Sequence, residues 1–533
     1  MSEGGLQPVL VAGQWRAARH AVGAFQPLNP ATGEPLPERY PTSGREDMLA
    51  ALEAGHAAAA ALAQTPPEPV AAFLERFADL IEARRDELVQ RAHVETGLPA
   101  EPRLGTTELP RTTNQLRQAA AAVRDRAWRA PVIDTRANIR AMHAPLGGPV
   151  VVMGPNNFPF AFNSVAGGDF AAAIAAHNPV IAKANPGHAG TTRLLAELAF
   201  QAVREAGLPE GTVQLLYQLP PALGLELVAH PLVGATAFTG SKAAGLQLKA
   251  AADAAGKPIY LEMSSVNPVF ILPGALDERL DAIAGEFYTS CTMGAGQFCT
   301  NPGLVILPGG ELGERFVQAA AERFAAGAPG VLLGAKGLAG LNAAVQALVA
   351  HGAQVVTGGQ PLPGPGFRYA NTILRATGAQ FLADPAALQM EAYGPVSLLV
   401  LAESGDAMRA IAEQVEGSLT GTIYSHTGGQ DDVAYDRLAP ILRPRVGRLL
   451  NDKMPTGVAV SAAMNHGGPY PATGHPGFTG VGIPAAIRRF TALYSYDNVR
   501  PHRLPVELQD RNPTGHLWRL VDGAWTQGDV PAG

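Results

Sequence analysis

The chain of 533 residues has few of the features typical of secreted, membrane or nucleic-acid-binding proteins. Its two cysteines are too few for a disulfide framework, and its net charge of −6 provides no basic field for nucleic acid. Its apolar stretches are interrupted before they reach the roughly 18 residues that a membrane span needs. Met1 to Arg16 carry no charged segment followed by an apolar one, so no secretory signal is predicted. We therefore expect a cytoplasmic protein that binds neither membrane nor nucleic acid.

The composition that is present indicates several folded domains. Hydrophobic residues make up 47% of the chain and charged residues 16%, which excludes disorder because disordered chains lack apolar residues. At about 150 residues per domain, the length corresponds to two to four domains. The 60 glycines and 45 prolines are spread without a period, which indicates many tight turns between regular elements.

Short apolar runs alternate with helical segments in the middle of the chain. The runs lie at 150–153, 180–182, 213–216, 235–238 and 259–261. Strands that alternate with helices at about 30-residue spacing predict a parallel sheet built from βαβ units, which binds ligands beyond the carboxyl ends of its strands. The alternation returns from Leu304 to Tyr424, which predicts a second α/β domain.

Three side chains near these strands are candidates for chemistry. Cys299 lies among glycines that let backbone N–H groups approach a reacting oxygen, although a free cysteine is more often a small buried hydrophobe. Glu262 follows the run at 259–261. It could be a carboxylate of a functional site or an exposed residue at the end of a strand. Asn157 follows the run at 150–153 and could either donate to an oxyanion or cap a turn.

Two further features suit a phosphate-bearing ligand. The segment 238–245 runs from a strand into a helix, and its glycines and free helix N-terminus suit a phosphate. As a bare motif it is weak, because it is not GxGxxG. Lys183 follows the run at 180–182 and could reach a ribose or phosphate, or could be a solvated strand end.

Taken in order, these segments resemble the aldehyde dehydrogenase superfamily. The resemblance covers nearly the whole chain, through 29–34, 157–159, 238–241, 262, 267–268, 296–299 and 391–395. A narrower resemblance, at 165–169, 261–268, 466–473 and 508–513, is to the branch of bacterial 2-oxoglutarate semialdehyde (2,5-dioxopentanoate) dehydrogenases and NADP-preferring fatty aldehyde dehydrogenases.

The resemblance implies a covalent mechanism for aldehyde oxidation. Cys299 would be the nucleophile that forms a thiohemiacetal and then a thioester. The side-chain amide of Asn157 and the backbone N–H of Cys299 would hold the oxyanion. Glu262 would activate water for hydrolysis.

The resemblance also implies a nicotinamide cofactor, with Lys183 at the adenosine ribose and Glu391 at the nicotinamide ribose. Gly240, Ser241 and Gly245 would surround the pyrophosphate. Family members that prefer NAD often carry a glutamate three residues after the lysine.

In this chain the corresponding residue is Pro186. No carboxylate there would repel a 2′-phosphate, so NADP is the preferred cofactor, with NAD as the alternative. His188 and Arg193 are candidates for contact with that phosphate.

A helix is predicted around 108–123, and its segment 108–117 resembles the helix that lines the aldehyde entrance in this fold. Arg111 lies where other members often carry an apolar residue, and it would suit a carboxylate-bearing substrate. It could equally point to solvent or pair with Glu108. Phe158 and Phe298 would supply apolar walls.

The predicted function is NAD(P)+-dependent oxidation of 2,5-dioxopentanoate to 2-oxoglutarate. A broad-specificity or fatty aldehyde dehydrogenase is the alternative, and a non-catalytic scaffold is a further one. Metal catalysis is not expected, because the 13 histidines show no HExxH or paired-cysteine spacing and His466 and His475 have no obvious partners.

The implied architecture is an α/β fold with a Rossmann-like cofactor domain, a catalytic domain and a small β element that makes a homodimer or homotetramer. The cofactor domain is placed at 1–130 and 148–258 and the catalytic domain at 259–484. The oligomerisation element is placed at 131–147 and 485–505, followed by a C-terminal extension at 506–533.

Overall fold

A computed structural model describes residues 5–531 of the chain. These residues form three main sheets and the helices that cover them. The predicted α/β fold is confirmed: two seven-stranded sheets are largely parallel, and a five-stranded sheet is smaller and mostly antiparallel. A short hairpin of Ala21–Phe25 and Tyr40–Ser43 stands apart from them.

The first sheet contains the five apolar runs that the sequence predicts as strands. In spatial order its strands are Ile259–Glu262, Ala235–Thr239, Val150–Met153, Val180–Lys183, Val213–Leu216, Val9–Val11 and Gln14–Arg16. The first five run parallel, so their carboxyl ends lie along one edge, where Lys183 is paired with Met153 and Glu262 with Thr239. Because both faces are covered, these strands are almost wholly apolar.

Helices cover both faces of this sheet. They are Arg45–Leu62, Pro67–Ala83, Arg85–Thr96, Leu109–Asp125, Gly168–Ala175, Ala189–Glu205, Pro221–Ala229 and Lys242–Ala254, with a π-helical turn at Ala100–Glu108. The periodic stripe in Pro67–Ala83 is buried: Phe73 and Phe77 stack on each other and pack against Phe170. The 3.6-residue apolar period therefore marks a helix whose apolar face is buried, as expected.

The second sheet is formed by the later part of the chain. Its strands, in spatial order, are Gln354–Thr357, Thr372–Thr377, Val396–Ala402, Leu304–Pro308, Val269–Ile271, Ser418–Tyr424 and Val446–Asn451. Its helices are Pro273–Thr292, Glu311–Ala326, Ala335–Ala350, Gly378–Ala383, Pro385–Leu388, Gly405–Gln414 and Asp432–Leu442. Two apolar clusters, one on each face, hold this sheet between its helices.

The third sheet joins segments that are far apart in sequence. Its strands, in spatial order, are Thr491–Asp497, Ile139–Pro145, Val132–Asp134, Arg519–Val521 and Ala524–Thr526, and the short helix Ala485–Arg488 precedes it. The last two strands come from the predicted C-terminal extension, so that segment enlarges the sheet.

The observed sheets bear on the predicted domain ranges. The strand Ile259–Glu262 pairs within the first sheet, so a boundary after residue 262 would keep that sheet whole, whereas one after 258 divides it. Residues 1–4 and 532–533 of the predicted ranges lie outside the described residues. Among residues 5–531, no helix combines the length and the apolarity that crossing a bilayer requires.

Candidate active site

A cavity of about 430 Å³ lies at the carboxyl edge of the first sheet, where the second sheet approaches it. Eight of the residues singled out in the sequence line this one cavity: Asn157, Phe158, Lys183, Gly240, Ser241, Glu262, Cys299 and Glu391. Parallel strands end together at this edge, which explains why residues 234 positions apart in the chain share one space, counting from Asn157 to Glu391.

The loop that carries Cys299 is held tightly by its neighbours. Gly296 has a φ of +68°, and a Cβ there would lie 2.1 Å from the carbonyl oxygen of Gly394, so this position requires glycine. Asn267 donates through its Nδ2 to the carbonyl oxygen of Cys299 at 2.9 Å. Asn157 donates through its Nδ2 to the carbonyl oxygen of Gln297 at 3.0 Å.

Asn157 is therefore fixed beside the thiol with donor capacity to spare. An amide nitrogen carries two N–H groups, and one of these is used on the Cys299 loop. The second can serve an oxygen that develops charge at the reacting carbon. The structure thus brings together the amide and the thiol that the sequence singled out.

Cys299 and Glu262 are close enough to influence each other's ionisation. Burial, and after it the negative charge of Glu262, raises the pKa of the Cys299 thiol well above its ordinary value. Burial also pushes the pKa of Glu262 upward, but contacts with His466 and Cys299 outweigh it, and the net pKa is lowered. In the resting pair the proton is therefore held on the thiol, and Glu262 is the adjacent carboxylate.

His466 is a member of the site that the sequence analysis did not identify. Its Nε2 lies 3.0 Å from Oε2 of Glu262 and 3.6 Å from Sγ of Cys299, and its side chain is 1% exposed. The expectation that His466 has no partners is therefore wrong. Its backbone N–H donates to Oγ1 of Thr479 at 2.7 Å, which fixes the glycine-rich loop that carries it.

The side chains assigned to the cofactor carry unmatched charge. Burial lowers the pKa of Lys183 to about 8, and among residues 5–531 no carboxylate pairs with it. Burial raises the pKa of Glu391 to about 7, where its Oε1 accepts a 3.4 Å hydrogen bond from the backbone of Ser265. Polar groups left in this condition suit a ligand rich in hydroxyl and phosphate oxygens.

The phosphate turn begins the helix Lys242–Ala254. Ser241 is its N-cap, and its hydroxyl accepts from the backbone of Ala244 at 3.4 Å. Gly240 lines the cavity, while Gly245 lies buried beneath it, where a Cβ would meet Sδ of Met263 at 3.0 Å. Backbone N–H groups at this helix end can therefore receive a pyrophosphate, and Gly245 acts through packing.

Two candidates for a phosphate contact are occupied elsewhere. His188 is fully buried, with its ring nitrogens bonded to the carbonyl of Pro155 and to Thr192. Arg193 pairs with Glu197 at 3.2 Å and donates to Gln7 at 2.7 Å. Both side chains are thus already bonded within the protein, and a contact of either with a 2′-phosphate stays a prediction.

Arg111 lies inside the protein, on the helix Leu109–Asp125. Its guanidinium carbon is 5.2 Å from the ring centre of Phe162 and 5.8 Å from that of Phe158. Its Nε and Nη2 are buried, and neither has a hydrogen-bond partner among the described residues. Burial lowers its pKa, opposed by the charges of Glu108, Cys299 and Glu262, so it lies near the reacting groups.

The alternative pairing of Arg111 with Glu108 is not formed. Glu108 instead binds Arg103 in a buried ion pair, and its Oε1 accepts the backbone N–H groups of Phe160 and Ala161 at 2.8 and 2.9 Å. The solvent-facing alternative does not hold for Nε and Nη2 of Arg111, which are buried. What remains is a half-buried arginine whose two buried nitrogens have no hydrogen-bond partner among the described residues.

The apolar walls of the site are aromatic. Phe158 and Phe298 meet edge to face, with ring centres 5.2 Å apart, and Phe162 packs on Phe158 at the same distance. The guanidinium carbon of Arg103 lies 4.5 Å from the ring centre of Phe158, and Arg103 donates to the carbonyl oxygen of Asn157 at 3.0 Å. Aromatic rings and guanidinium groups together form the wall facing Arg111.

Comparison with known proteins finds relatives along almost the whole chain. The sequence profile of the aldehyde dehydrogenase family matches residues 15–439. Alpha-ketoglutaric semialdehyde dehydrogenase 2 of Azospirillum brasilense is 40% identical over 95% of this chain and 97% of its own length. Alpha-ketoglutaric semialdehyde dehydrogenase of Acinetobacter baylyi is 34% identical over 94% of this chain and 96% of its own length.

Solved structures show the same fold. The crystal structure of PnpE in complex with nicotinamide adenine dinucleotide superposes with a TM-score of 0.79, at 22% identity, over 94% of this chain and all of that one.

Proposed function

From its membership of the aldehyde dehydrogenase family, which makes this chain an aldehyde-oxidising enzyme that uses a nicotinamide dinucleotide, we propose a substrate. That substrate is 2,5-dioxopentanoate, which the enzyme converts to 2-oxoglutarate. The observation that carries the choice of substrate is the guanidinium of Arg111. Its buried Nε and Nη2 have no hydrogen-bond partner among the described residues, and its charge acts on the reacting groups Cys299 and Glu262. A substrate with an aldehyde at one end and a carboxylate at the other would supply that partner. The names of the relatives in Azospirillum and Acinetobacter agree with this choice.

The first chemical step falls to Cys299, Glu262 and Asn157. Glu262 accepts the thiol proton, and the thiolate attacks the aldehyde carbon to give a thiohemiacetal. The second N–H of the Asn157 amide and the backbone N–H of Cys299 hold the oxyanion, at about 2.7–4 kcal/mol for such a donor. Since the resting thiol has a raised pKa, the adjacent carboxylate is needed to remove its proton.

The nicotinamide ring, when bound, accepts the hydride that leaves the substrate carbon. The residues suited to holding the cofactor are Lys183 and Glu391 with the turn at Gly240 and Ser241. Lys183 has no carboxylate partner among the described residues, and the helix Lys242–Ala254 begins at this turn. Cys299 then carries a thioester. Glu262 first releases the thiol proton to solvent and then takes a proton from water, and the resulting hydroxide attacks the thioester. The C–S bond breaks, the carboxylate product leaves, and the Cys299 thiolate takes the proton back from Glu262.

We also propose that NADP is the preferred cofactor. Pro186 follows Lys183 at the place where a glutamate would repel a 2′-phosphate, and the cavity-lining carboxylates, Glu262 and Glu391, carry other roles. Lys183 itself provides the positive charge for that phosphate, because His188 and Arg193 are bonded elsewhere.

Cytoplasmic location and homo-oligomeric assembly complete the proposal. Both cysteines are free, which suits a reducing compartment where the Cys299 thiol survives. The strand Thr491–Asp497 has one unpaired edge among the described residues and exposes Leu493 and Tyr494, which suits pairing with a second copy as a homodimer or homotetramer.

The substrate proposal is tested with Arg111→Met. We expect kcat/KM for 2,5-dioxopentanoate to fall about 10- to 100-fold, which corresponds to the 1.5–3 kcal/mol of a charged hydrogen bond. Turnover of pentanal, a neutral aldehyde of the same chain length, should be unchanged or improved. NAD(P)H formation is followed spectroscopically with both aldehydes.

Arg117→Met is the matched control, because Arg117 is on the same helix and forms exposed pairs with Asp79 and Glu82. An equal loss for both aldehydes would contradict carboxylate recognition by Arg111. If the unmodified enzyme prefers pentanal or longer neutral aldehydes, the substrate is a broad or fatty aldehyde, which the aromatic walls could admit.

A further inference from the structure

Glu262, Cys299 and His466 bring three metal-ligating atoms to one point at the end of the cavity. The carboxylate oxygen, the thiol sulfur and the imidazole nitrogen all lie within 4.8 Å of one another. The separations from Nε2 are 3.6 Å to Sγ of Cys299 and 3.0 Å to Oε2 of Glu262. These are one sulfur, one nitrogen and one oxygen donor, the set that Zn²⁺ uses in proteins.

The two separations that involve Nε2 of His466 are close to two edges of a tetrahedron around zinc. With Zn–S of about 2.3 Å and Zn–N and Zn–O of about 2.0–2.1 Å, a tetrahedral angle separates sulfur from nitrogen by about 3.6 Å and oxygen from nitrogen by about 3.3 Å. The observed 3.6 and 3.0 Å therefore need a shift of a few tenths of an ångström at Glu262. A zinc ion would fit between the three side chains once the sulfur and the carboxylate oxygen, which lie within 4.8 Å of each other, stand about 3.6 Å apart.

We propose that Glu262, Cys299 and His466 form a reversible inhibitory zinc site. The fourth position of the tetrahedron is left to water and faces the cavity, since Cys299 and Glu262 both line it. A bound ion holds the thiolate and the carboxylate that the reaction needs, so zinc excludes the aldehyde. That inhibitory effect rests on the proposed function, whereas metal binding does not.

Charge and protons balance in this site. Zinc displaces the proton of the Cys299 thiol, which leaves to solvent, and the ion's two positive charges match one thiolate and one carboxylate. In the metal-free site the hydrogen bond from Nε2 of His466 to Glu262 places the imidazole proton on Nε2. When zinc binds, that proton moves to Nδ1 and the lone pair of Nε2 binds the ion. Nδ1 is buried and has no hydrogen-bond partner among residues 5–531.

The missing partner of Nδ1 makes this an exchangeable site. Ligating histidines normally donate their other N–H to an acceptor, and loss of that acceptor costs about 10- to 100-fold in metal affinity. The guanidinium groups of Arg111 and Arg489, whose charges act in this region, also oppose a cation. We therefore expect zinc to be removed by a chelator, with full return of activity.

The binding test uses Co²⁺ as a spectroscopic probe on the purified full chain without cofactor or aldehyde. We expect one equivalent of Co²⁺ per chain, with a thiolate-to-cobalt charge-transfer band and the intense d–d bands of tetrahedral cobalt, and displacement by Zn²⁺. Cys299→Ser should abolish the charge-transfer band. His466→Asn should raise the apparent Kd more than about tenfold.

Two variants of the same residue types serve as controls. Cys291→Ala removes the other cysteine, which is buried in the second-sheet core, and His475→Asn changes a histidine in the same loop. Both should bind Co²⁺ as the parent does. Equal Co²⁺ binding by Cys299→Ser and the parent, or spectra of octahedral cobalt alone, would overturn the site.

The inhibition test separates this proposal from the proposed function. Zinc should inhibit aldehyde oxidation competitively with the aldehyde and be reversed by EDTA. Cobalt binding without aldehyde turnover would leave the metal site standing and overturn the assigned reaction. Turnover that zinc does not affect at concentrations that saturate the cobalt-binding site would overturn its inhibitory role.

Discussion

Lys183 is a cation enclosed by the cavity without a described counter-charge, and its pKa is lowered to about 8. Below pH 8 its charged form is therefore less stable in the folded chain than in the unfolded one, where the pKa is about 10.4. Lys183→Met should raise the free energy of unfolding at pH 7 by about 1–3 kcal/mol, because one pKa unit corresponds to about 1.4 kcal/mol.

That gain should shrink to less than about half at pH 9.5, since the penalty is lost as pH rises through 8 toward the unfolded pKa. Denaturant unfolding at pH 7 and pH 9.5 measures the free energy of unfolding of the variant and the parent. The variant should also bind NADP more weakly. Lys249→Met, which removes a lysine paired with Asp253 on a helix surface, is the control and should show no such pH dependence. A destabilised Lys183→Met would mean that the amine has a partner in solution.

A single substitution at Pro186 should change the preference of the enzyme between NADP and NAD. Pro186→Glu places a carboxylate three residues after Lys183, which would bind the two ribose hydroxyls of NAD and repel a 2′-phosphate. We expect kcat/KM with NADP to fall more than about tenfold. Parallel assays with NADP and NAD measure the change.

Pro186→Gln has a similar shape without the charge and should retain more NADP activity. An undiminished rate with NADP in Pro186→Glu would show that the 2′-phosphate lies elsewhere.

The sequence could identify Cys299 and Glu262 because each stands in a short recognisable segment at a predicted strand end. His466 could not be found this way. It lies 167 residues after Cys299, in a loop of glycine and proline that has no periodic pattern, and only the fold brings it within 3.6 Å of the thiol. For Arg111 the sequence left three orientations open, because burial depends on neighbours such as Phe162 that pack from another segment.

At the scale of elements, the helix Ala189–Glu205 is capped by a residue from another helix. Glu95, in Arg85–Thr96, is 1% exposed and accepts the backbone N–H groups of Gly190 and Thr191 at 2.8 Å each. Its charge is matched by Arg91 at 3.1 Å. Such a buried, charged cap both satisfies the helix N-terminus and joins two helices.

Glu95→Gln should destabilise the protein by about 3 kcal/mol, because it removes the negative charge and one acceptor oxygen. Arg91 and the backbone N–H groups at the helix N-terminus would then share a single neutral acceptor. Thermal and denaturant unfolding measure the loss. The control is Glu205→Gln, at the other end of the helix, where an exposed glutamate pairs with Arg76 and little change is expected. Equal effects for the two variants would contradict the importance of burial at Glu95.

Apolar strands were the most predictable elements. The runs at 150–153 and 213–216 match the observed strands to the residue, since continuous apolar runs are typical of a sheet covered on both faces. The strand that pairs with Ile259–Glu262 was harder to predict, because the sequence of a strand does not show which sheet it joins. The exposed strand Gln354–Thr357 carries a weaker signal, since the strand that pairs with it among residues 5–531 is antiparallel and its burial is incomplete.

For the whole molecule, the third sheet offers a surface for assembly. Leu493 is 65% and Tyr494 45% exposed on an edge strand, an arrangement that natural proteins usually cover. Leu493→Asp should lower the mass of the assembly, because a charge would be buried in the interface.

Light scattering coupled to size-exclusion chromatography measures that mass. Val433→Asp, at a 67% exposed position on the helix Asp432–Leu442, should leave it unchanged. An unchanged mass in Leu493→Asp would mean that the copies meet through another surface. The number of copies is the part that sequence could not supply, because dimers and tetramers use the same strand chemistry.

The base and the nucleophile belong to different halves of the molecule. Glu262 ends a strand of the first sheet, while Cys299 precedes the strand Leu304–Pro308 of the second. A displacement of about 1 Å between reacting groups can cost about 100-fold in rate, although neither sheet need lose a strand. On heating, aldehyde oxidation should therefore be lost at a lower temperature than that at which the protein unfolds. Protein inactivated in this way should still bind its cofactor at the first sheet.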